Sequence, residues 1–245
     1  MKKLVHALVW VGLAGTPAMA VAAETSAHEV TGNVSLNTDY RYRGVSQTFK
    51  GPAIQGGFDY AHSSGAYLGA WASNVDSEFL NGANVELDVY GGYSGTVSDD
   101  LSYNVGGLYY YYPGQFSGTD KINTFEVYAG GTWKWLNVKY SHATTKFFGV
   151  DDSKNAYYLE ANVTVPLPMD IDLGLHVGHQ EVKGANGFDY NDWKVGLSKE
   201  IGGFNVGLAY VDTDFNKADG SFTRSDGKTR NLAGATVVLS VGKSF

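Results

Sequence analysis

Residues 157–165 read Tyr-Tyr-Leu-Glu-Ala-Asn-Val-Thr-Val, and residues 171–178 read Ile-Asp-Leu-Gly-Leu-His-Val-Gly. In both stretches, apolar side chains alternate one by one with small or polar ones. Strict alternation is typical of a β-strand, whose successive side chains point to opposite faces, whereas a helix repeats apolar positions at spacings of three and four. The two stretches therefore predict a pair of strands with one apolar and one polar face.

The same period of two recurs along most of the chain. Short connections, such as residues 63–65, alternate along the chain with long ones, such as residues 213–230. Short turns alternating with longer loops are typical of outer-membrane barrels. We predict about twelve strands, near residues 30–43, 52–62, 66–73, 83–93, 101–111, 123–133, 136–142, 156–165, 171–179, 190–199, 204–212 and 231–245.

The overall composition excludes several other classes of protein. The 245 residues are 43% hydrophobic and 18% charged, which is too apolar for a disordered chain and too polar for a bundle of membrane helices. Cysteine is absent, which excludes disulfide scaffolds and cysteine-based zinc sites. The formal charge of -7 argues against a nucleic-acid partner, because phosphate binding needs basic patches. We expect no cofactor and no metal.

The first 23 residues predict a secretory signal peptide. Lys2 and Lys3 precede a mostly apolar run over residues 4–15, and small residues at 18, 20, 21 and 23 offer cleavage sites. The apolar run is shorter than the ~18 residues expected of a spanning helix, although an anchor helix is the alternative. We therefore assign residues 1–23 to the signal peptide and residues 24–245 to one barrel, in the envelope of a Gram-negative bacterium.

A soluble β-sandwich also alternates apolar and polar residues, so the pattern alone does not decide the environment. Strands of ~9–11 residues match a tilted crossing of a bilayer, and aromatic residues cluster near the predicted strand ends, as in membrane-boundary girdles. The fold class that follows is all-β, a transmembrane antiparallel up-and-down β-barrel in the outer membrane. The aromatic residues expected at the external boundary are Tyr40, Tyr42, Trp71, Tyr109, Tyr111, Trp193 and Tyr210, and those expected at the periplasmic boundary are Tyr60, Tyr93, Trp133, Phe204 and Phe245.

The last predicted strand ends in an aromatic residue, Phe245, after the in-phase residues Val237, Leu239 and Val241. This ending resembles the recognition signal of outer-membrane barrels. We therefore expect the barrel-assembly machinery and outer-membrane lipid as partners.

Four blocks near the start of the mature chain resemble the TorF family of proteobacterial outer-membrane porins. They are Gly-Asn-Val-Ser-Leu-Asn-Thr-Asp-Tyr-Arg-Tyr-Arg-Gly-Val-Ser-Gln at 32–47, Pro-Ala-Ile-Gln-Gly-Gly-Phe-Asp-Tyr-Ala-His at 52–62, Gly-Ala-Tyr-Leu-Gly-Ala-Trp-Ala-Ser-Asn-Val-Asp at 65–76 and Glu-Leu-Asp-Val-Tyr-Gly-Gly-Tyr at 86–93. The resemblance covers roughly the first third of the mature chain. It implies a small outer-membrane barrel and transfers no ligand-binding or catalytic residues.

If the apolar phase of each strand faces lipid, the other phase faces the lumen. That phase carries eight acids, Asp192 among them, against four bases, which predicts a modest preference for cations or neutral polar solutes. Twelve strands lie between the eight of filled barrels and the sixteen to eighteen of open porins, which predicts a narrow pore. The predicted pore-lining residues are Asp39, Arg41, Arg43, Asp59, Glu86, Asp88, Glu126, Lys139, Glu160, Asp172, His176 and Lys194.

Arg41 and Arg43 admit two hypotheses. They either face the acidic strands across a constriction, creating a transverse field that selects solutes, or pair with Asp39, Glu86 or Asp88 and fill the barrel. A paired constriction would satisfy both hypotheses.

The function predicted from these features is passive diffusion of small hydrophilic solutes or ions, and the alternative is a non-conducting structural or adhesive barrel. A lipid hydrolase is a third class, because His62 and Ser64 have the spacing of a base and a nucleophile on one strand face. No acidic or amide residue in the sequence obviously orients His62, so we predict that the protein is not an enzyme.

Residues 212–219 alternate oxygen ligands like a calcium loop, but position six is Lys217 and no glutamate closes the loop, so a solvated loop is favoured.

Overall fold

The structure is a computed structural model, and it describes residues 27–118, 120–184 and 187–245. The predicted signal peptide, residues 1–23, lies outside the described residues. Within those ranges, no helix has the length and apolar character needed to cross a membrane.

Twelve antiparallel strands close into one barrel, as the sequence predicts. Around the wall the order is β1-β16-β13-β12-β11-β10-β9-β8-β7-β6-β5-β4, so neighbours in sequence are neighbours in space apart from two small hairpins in the loops. Over the described residues the strands are β1 His28–Asn37, β2 Arg41–Tyr42, β3 Val45–Ser46, β4 Ala53–His62, β5 Ala66–Asn74, β6 Val85–Ser98, β7 Leu101–Tyr111, β8 Thr124–Trp133, β9 Leu136–Ala143, β10 Tyr157–Leu167, β11 Ile171–Glu181, β12 Tyr190–Ile201, β13 Phe204–Thr213, β14 Ser221–Thr223, β15 Thr229–Asn231 and β16 Thr236–Ser244.

The alternation of the sequence becomes an alternation of exposure. Val30, Ile54 and Phe58 are 71%, 63% and 64% exposed on the outside of the barrel, while polar side chains between them are shielded inside. Large apolar side chains on the outer face of every wall strand form a surface that suits acyl chains and not water.

The first and last wall strands close the barrel. β1 pairs with β16 in the register Asn33↔Ser244 to Asn37↔Ser240, and two backbone bonds join Gly32 and Phe245 at 2.8 and 2.9 Å. Closure leaves no open sheet edge, which a bilayer requires because its core cannot hydrogen-bond exposed backbone groups. The beginning of β1 and the end of β16 lie at the rim that carries the short turns, which we call the short-turn end. The opposite rim is the long-loop end.

Three predicted boundaries are wrong. β1 ends at Asn37 and not at 43, because residues 38–52 leave the wall and fold inward. β6 runs to Ser98 through a bulge near Thr96, where the sequence predicted a turn over 94–100. The last strand begins at Thr236 and not at 231, because residues 229–231 pair with β14 outside the wall.

Candidate functional site

The lumen is crossed near its long-loop end by residues 38–52, which we call the lumen segment. Its hairpin pairs Arg41 with Ser46 and Tyr42 with Val45. The two turn residues, Arg43 and Gly44, have φ of 46° and 81°, as a tight two-residue hairpin turn requires. Asp39 ties the two arms together, because its Oδ1 accepts hydrogen bonds from Ser46 Oγ at 2.6 Å and Thr48 Oγ1 at 3.1 Å.

Arg41 anchors the lumen segment on the side of the wall from which it departs. Its Nε lies 2.6 Å from Asp39 Oδ2, and its Nη1 donates to the carbonyls of Gly44 at 2.9 Å and Leu232 at 2.7 Å. Burial lowers the pKa of Arg41 from its usual value, and the Asp39 charge opposes that shift. The predicted pairing of Arg41 with Asp39 is thus present in the structure.

Arg43 reaches the opposite wall. Its Nη2 donates to Glu126 Oε2 on β8 at 2.7 Å, and its Nη1 donates to Gln180 Oε1 on β11 at 2.7 Å. The guanidinium carbon lies 4.3 Å from the ring centroid of Tyr158. Because β8 and β11 lie on the far side of the barrel from β1 and β4, the lumen segment, with Arg43 at its tip, reaches across the lumen.

The structure therefore corrects part of the Arg43 hypothesis. Arg43 pairs with Glu126, and not with Asp39, Glu86 or Asp88. Arg43 and Glu126 are both buried, with side chains 5% and 2% exposed. An ion pair withdrawn from water to this degree, with Nη2 donating to both Glu126 oxygens, fixes the position of the hairpin tip.

Aromatic residues fill the space between the lumen segment and the wall. Tyr40 donates to Glu86 Oε1 at 2.7 Å, and Tyr112 donates to Glu86 Oε2 at 2.8 Å. Burial, followed by the Glu86 and Asp88 charges, raises the pKa of Tyr40, so the phenol stays a hydrogen-bond donor. Tyr40 and Trp71 meet edge to face at 5.4 Å. Tyr40 and Tyr42 were predicted at the external boundary, and that prediction is wrong because the lumen segment carries them inside.

A second set of loops packs against the outer side of the lumen segment. The ring of Phe49, which is 2% exposed, lies 4.0 Å from the guanidinium carbon of Arg224 and 5.0 Å from that of Arg230. Arg224 forms an ion pair with Asp76, and Arg230 Nη1 donates to the carbonyl of Phe49 at 2.7 Å. The hairpin of β14 and β15 thus holds one end of the lumen segment in place.

Below the lumen segment, one wall carries a charged network. Lys139 Nζ lies 3.2 Å from Glu160 Oε1, and His176 Nε2 lies 2.8 Å from Asp192 Oδ2. Tyr158 also donates to Asp192, at 2.8 Å. These residues come from β9 to β12, so four neighbouring strands contribute one continuous set of contacts.

The facing wall carries tyrosines. Tyr90 donates to Asp59 Oδ1 at 2.6 Å, and the hydroxyls of Tyr67 and Tyr128 lie 2.5 Å apart. Gly92, paired with Gly106 across β6 and β7, makes room for these rings, because a Cβ at Gly92 would lie 2.5 Å from Tyr67 Oη and overlap a backbone oxygen.

This close approach gives a stability prediction. We expect Gly92→Ala to lower the free energy of unfolding by about 1–3 kcal/mol, because the overlapped oxygen is backbone and has little freedom to move. Gly131→Ala on the outer face is the control, since its Cβ would meet only a carbonyl at 3.4 Å. Urea titration of the folded barrel measures both. Equal losses for the two variants would contradict the packing argument.

All twelve predicted pore-lining residues are shielded, but they form separate groups. Asp39, Arg41 and Arg43 lie on the lumen segment and not on a wall strand. Glu86, Asp88 and Glu126 lie beneath that segment, each 1% exposed. Lys139, Glu160 and His176 form the charged network with Asp192, and Lys194 is half-buried on β12, the same strand as Asp192. Asp59 accepts a hydrogen bond from Tyr90 on the facing wall. Asp172 is buried nearer the short-turn end.

Gln180 and Tyr158 contact Arg43 and were not predicted. Tyr158 lies in the polar phase of its predicted strand but carries no charge, and the predicted pore lining was restricted to charged residues and His176. Gln180 lies one residue beyond the predicted strand 171–179, whereas β11 runs to Glu181. The turn at Arg43 and Gly44 was also missed, since only its glycine is a residue typical of such a turn.

His62 and Ser64, the pair weighed for catalysis, lie at a turn of the short-turn end. His62 Nδ1 is 2.8 Å from Ser64 Oγ and accepts the Ser64 backbone N–H at 3.1 Å. The imidazole of His62 also lies against that of His28, with centroids 5.1 Å apart. These contacts are those of a side chain closing a turn onto the following backbone.

Comparison with known proteins places the barrel among solved folds. The model of the family described as "Bacterial protein of unknown function (Gcw_chp)" matches residues 21–245. No curated protein matches the chain. A KdgM porin is similar over 88% of this chain and 99% of its own, with 11% identity and a TM-score of 0.55.

Two further solved structures are similar. A KdgM porin in complex with disordered oligogalacturonate shares 11% identity over 88% of this chain and 98% of its own, with a TM-score of 0.53. A NanC porin shares 10% identity over 87% of this chain and 98% of its own, with a TM-score of 0.49. At these identities the likeness to the KdgM porin concerns the fold. The name TorF stays a resemblance, because the matching family carries another description.

Proposed function

Because the chain belongs to the Gcw_chp family, bacterial proteins of unknown function, we propose its activity from the barrel itself: an outer-membrane porin-like channel for small hydrophilic solutes or ions. The observation that carries the proposal is a charged and hydroxyl-rich inner wall enclosed by an apolar outer wall. An apolar outer face requires lipid, and a polar inner face requires water or polar solutes. The shared fold with a KdgM porin supports the same function.

We propose that the lumen favours cations and neutral polar solutes. The residues predicted to face the lumen comprise eight acids against four arginines and lysines. Three of those bases are already neutralised, Arg41 by Asp39, Arg43 by Glu126 and Lys139 by Glu160. Unmatched carboxylates lower the energy of a cation in the lumen and raise that of an anion.

The alternative is a barrel that does not conduct. The observation in its favour is the lumen segment itself, which crosses the barrel and is held at both walls by buried contacts. Under this alternative, the protein would serve a structural or adhesive role in the outer membrane.

Electrical recording separates the two functions. We expect the refolded protein to give stepwise current increases in planar bilayers, with a reversal potential in a KCl gradient that indicates cation preference. Swelling of liposomes loaded with neutral sugars gives an independent readout. Protein that is folded, as judged by a mobility shift on heating before electrophoresis, but that gives neither current steps nor swelling would contradict the channel and support the non-conducting barrel.

A further inference from the structure

Acids and lysines on the lipid-facing phase of the wall strands are few and are separated by sign. Among the described residues, that phase carries two acids, Glu181 on β11 and Asp212 on β13, and both lie at the long-loop end. It also carries two lysines, Lys199 on β12 and Lys243 on β16, and both lie near the short-turn end. The outer face of the wall strands therefore presents lysines to one leaflet and not to the other.

Both lysines lie among apolar side chains and lack an acidic partner. Within the described ranges, neither forms an ion pair, and Glu200, which follows Lys199, lies in the opposite phase of β12. Lys243 Nζ lies 5.3 Å from the ring centroid of Phe204. The outward neighbours on the adjoining strands are Ile171 and Val206 for Lys199, and Phe204 and Val34 for Lys243. The counter-charge of each lysine therefore comes from outside the chain.

The two lysines are close enough to share one anion. β12 and β16 both pair with β13, so two strand spacings, about 10 Å, separate the lysines around the wall. Lys199 pairs with Val206, which pairs in turn with Val241, so Lys199 lies two residues, about 7 Å, deeper than Lys243. Each lysine has a flexible four-carbon stem, and such stems extend along apolar surface toward polar headgroups. Both ammonium groups thus reach the surface of β13 near Phe204.

We propose that Lys199 and Lys243 bind the phosphate of one anionic glycerophospholipid in the leaflet at the short-turn end. Two ammonium groups with no protein carboxylate favour a headgroup that carries net negative charge. A zwitterionic headgroup brings its own cation, which the second lysine repels. Val206 and Leu208 continue the outer face of β13 toward the middle of the bilayer, so an acyl chain has apolar surface to lie against.

Lys134 shows the contrasting case within the same barrel. Its Nζ lies 5.3 Å from the ring centroid of Trp133, the same distance as between Lys243 Nζ and Phe204. Lys134 Nζ also lies 3.7 Å from Asp100 Oδ2, so the protein supplies its counter-charge. A lysine beside an aromatic ring is therefore not enough for the proposed site. The distinguishing feature is a second lysine two strands away and no acid on the same face.

A lipid fits this position better than a free phosphate ion. The neighbours of both lysines are apolar, so a soluble anion would lose water there and gain only two ammonium groups. The phosphate of a lipid is already held at the boundary by its acyl chains. The occupant is thus distinguished from a soluble anion by its chains and from other lipids by its charge.

Native mass spectrometry of the refolded barrel tests the site directly. The protein is equilibrated in nonionic detergent with equal amounts of phosphatidylglycerol and phosphatidylcholine that carry the same acyl chains. We expect the wild type to retain one phosphatidylglycerol with a preference of roughly tenfold, because two lysines attract its net charge. Lys199→Gln combined with Lys243→Gln is expected to lower the preference to about one. Lys134→Gln is the matched control and is expected to keep the wild-type preference.

Thermal unfolding gives a second readout. Phosphatidylglycerol is expected to raise Tm along a saturating curve in the wild type and in Lys134→Gln, because the lipid binds only the folded barrel. The same lipid is expected to leave the Tm of the double variant unchanged. Glycerol phosphate, which has the headgroup chemistry without the chains, is expected neither to raise Tm nor to displace the retained lipid at constant ionic strength.

Three results would overturn the proposal. The first is equal retention of the two lipids by the wild type. The second is a double variant that keeps the preference while its heat-dependent mobility on electrophoresis shows it to be folded. The third is displacement of the lipid by glycerol phosphate, since the lysines would then recognise a soluble anion. The site does not require conduction, so a barrel that gives no current but keeps the lipid preference would contradict the channel alone.

Discussion

Replacing Arg43 with alanine is expected to lower the free energy of unfolding by about 3–5 kcal/mol and to increase the conductance of the barrel. The loss of stability follows because Glu126, with its side chain 2% exposed, would keep its charge and lose its cationic partner. The conductance rises because the tip of the lumen segment loses its tie to Glu126 and Gln180 on the far wall. Urea titration and single-channel recording measure the two effects.

Two further variants make the Arg43 prediction specific. Arg43→Ala combined with Glu126→Ala is expected to recover much of the stability, since no unpaired charge remains, while the conductance stays raised. Lys134→Ala breaks the exposed pair with Asp100, whose side chains are 48% and 61% exposed, and is expected to cost about 0–1 kcal/mol. If Arg43→Ala proved as mild as Lys134→Ala, the pair would not hold the segment.

The wall of the barrel could be predicted from the sequence because each strand shows its own local alternation of apolar and polar residues. Alternation over residues 157–165 predicts a strand, and the structure has Tyr157–Leu167. The lipid-facing phase was also predictable, because a two-residue period leaves only two choices and one phase is apolar. Neither step depends on knowing which residue lies across the barrel.

The lumen segment could not be predicted for the opposite reason. The alternation of β1 continues without a break from Thr38 to Arg43, although the chain leaves the wall after Asn37. The two-residue period therefore does not show where the wall strand ends. A two-residue period describes any extended backbone, whether it lies in the wall or inside it. The partner of Arg43 is 83 residues away on another strand, and nothing local to either residue encodes that contact.

The pairing of Arg41 shows where local reasoning succeeds. Asp39 lies two residues away, on the same face of an extended segment, so the ion pair was among the hypotheses for the sequence. The contacts of Phe49 with Arg224 and Arg230 are not local, because the residues are about 180 positions apart and meet only after the barrel has closed. Such contacts could not be predicted from the sequence around any of the three residues. Contacts between loops at one rim therefore depend on the order of the strands.

Excising the hairpin of the lumen segment is the direct test of what limits the pore. The backbone N–H of Gln47 donates to the carbonyl of Tyr40 at 2.8 Å, so an Asn-Gly turn can replace residues 41–46 without moving either neighbour. We expect the conductance to rise by a factor of roughly two or more, because the interior of a twelve-stranded barrel is then limited only by its wall side chains. Cation preference is expected to persist or increase, since Arg41 and Arg43 leave while Glu86, Asp88 and Glu126 remain.

A loop shortened by the same number of residues outside the lumen is the control for this excision. Deleting residues 117–120, whose described members are exposed at the tip of a long loop, removes four residues, which is also the net change in the excision. Its conductance is expected to equal that of the wild type, because nothing inside the barrel changes. If both variants conduct as the wild type does, the narrowest point lies in the charged network of Lys139, Glu160 and His176, and the lumen segment serves stability alone. If neither variant conducts while both stay folded, water does not pass the tyrosines around Tyr67 and Tyr128, and the barrel is closed below the segment.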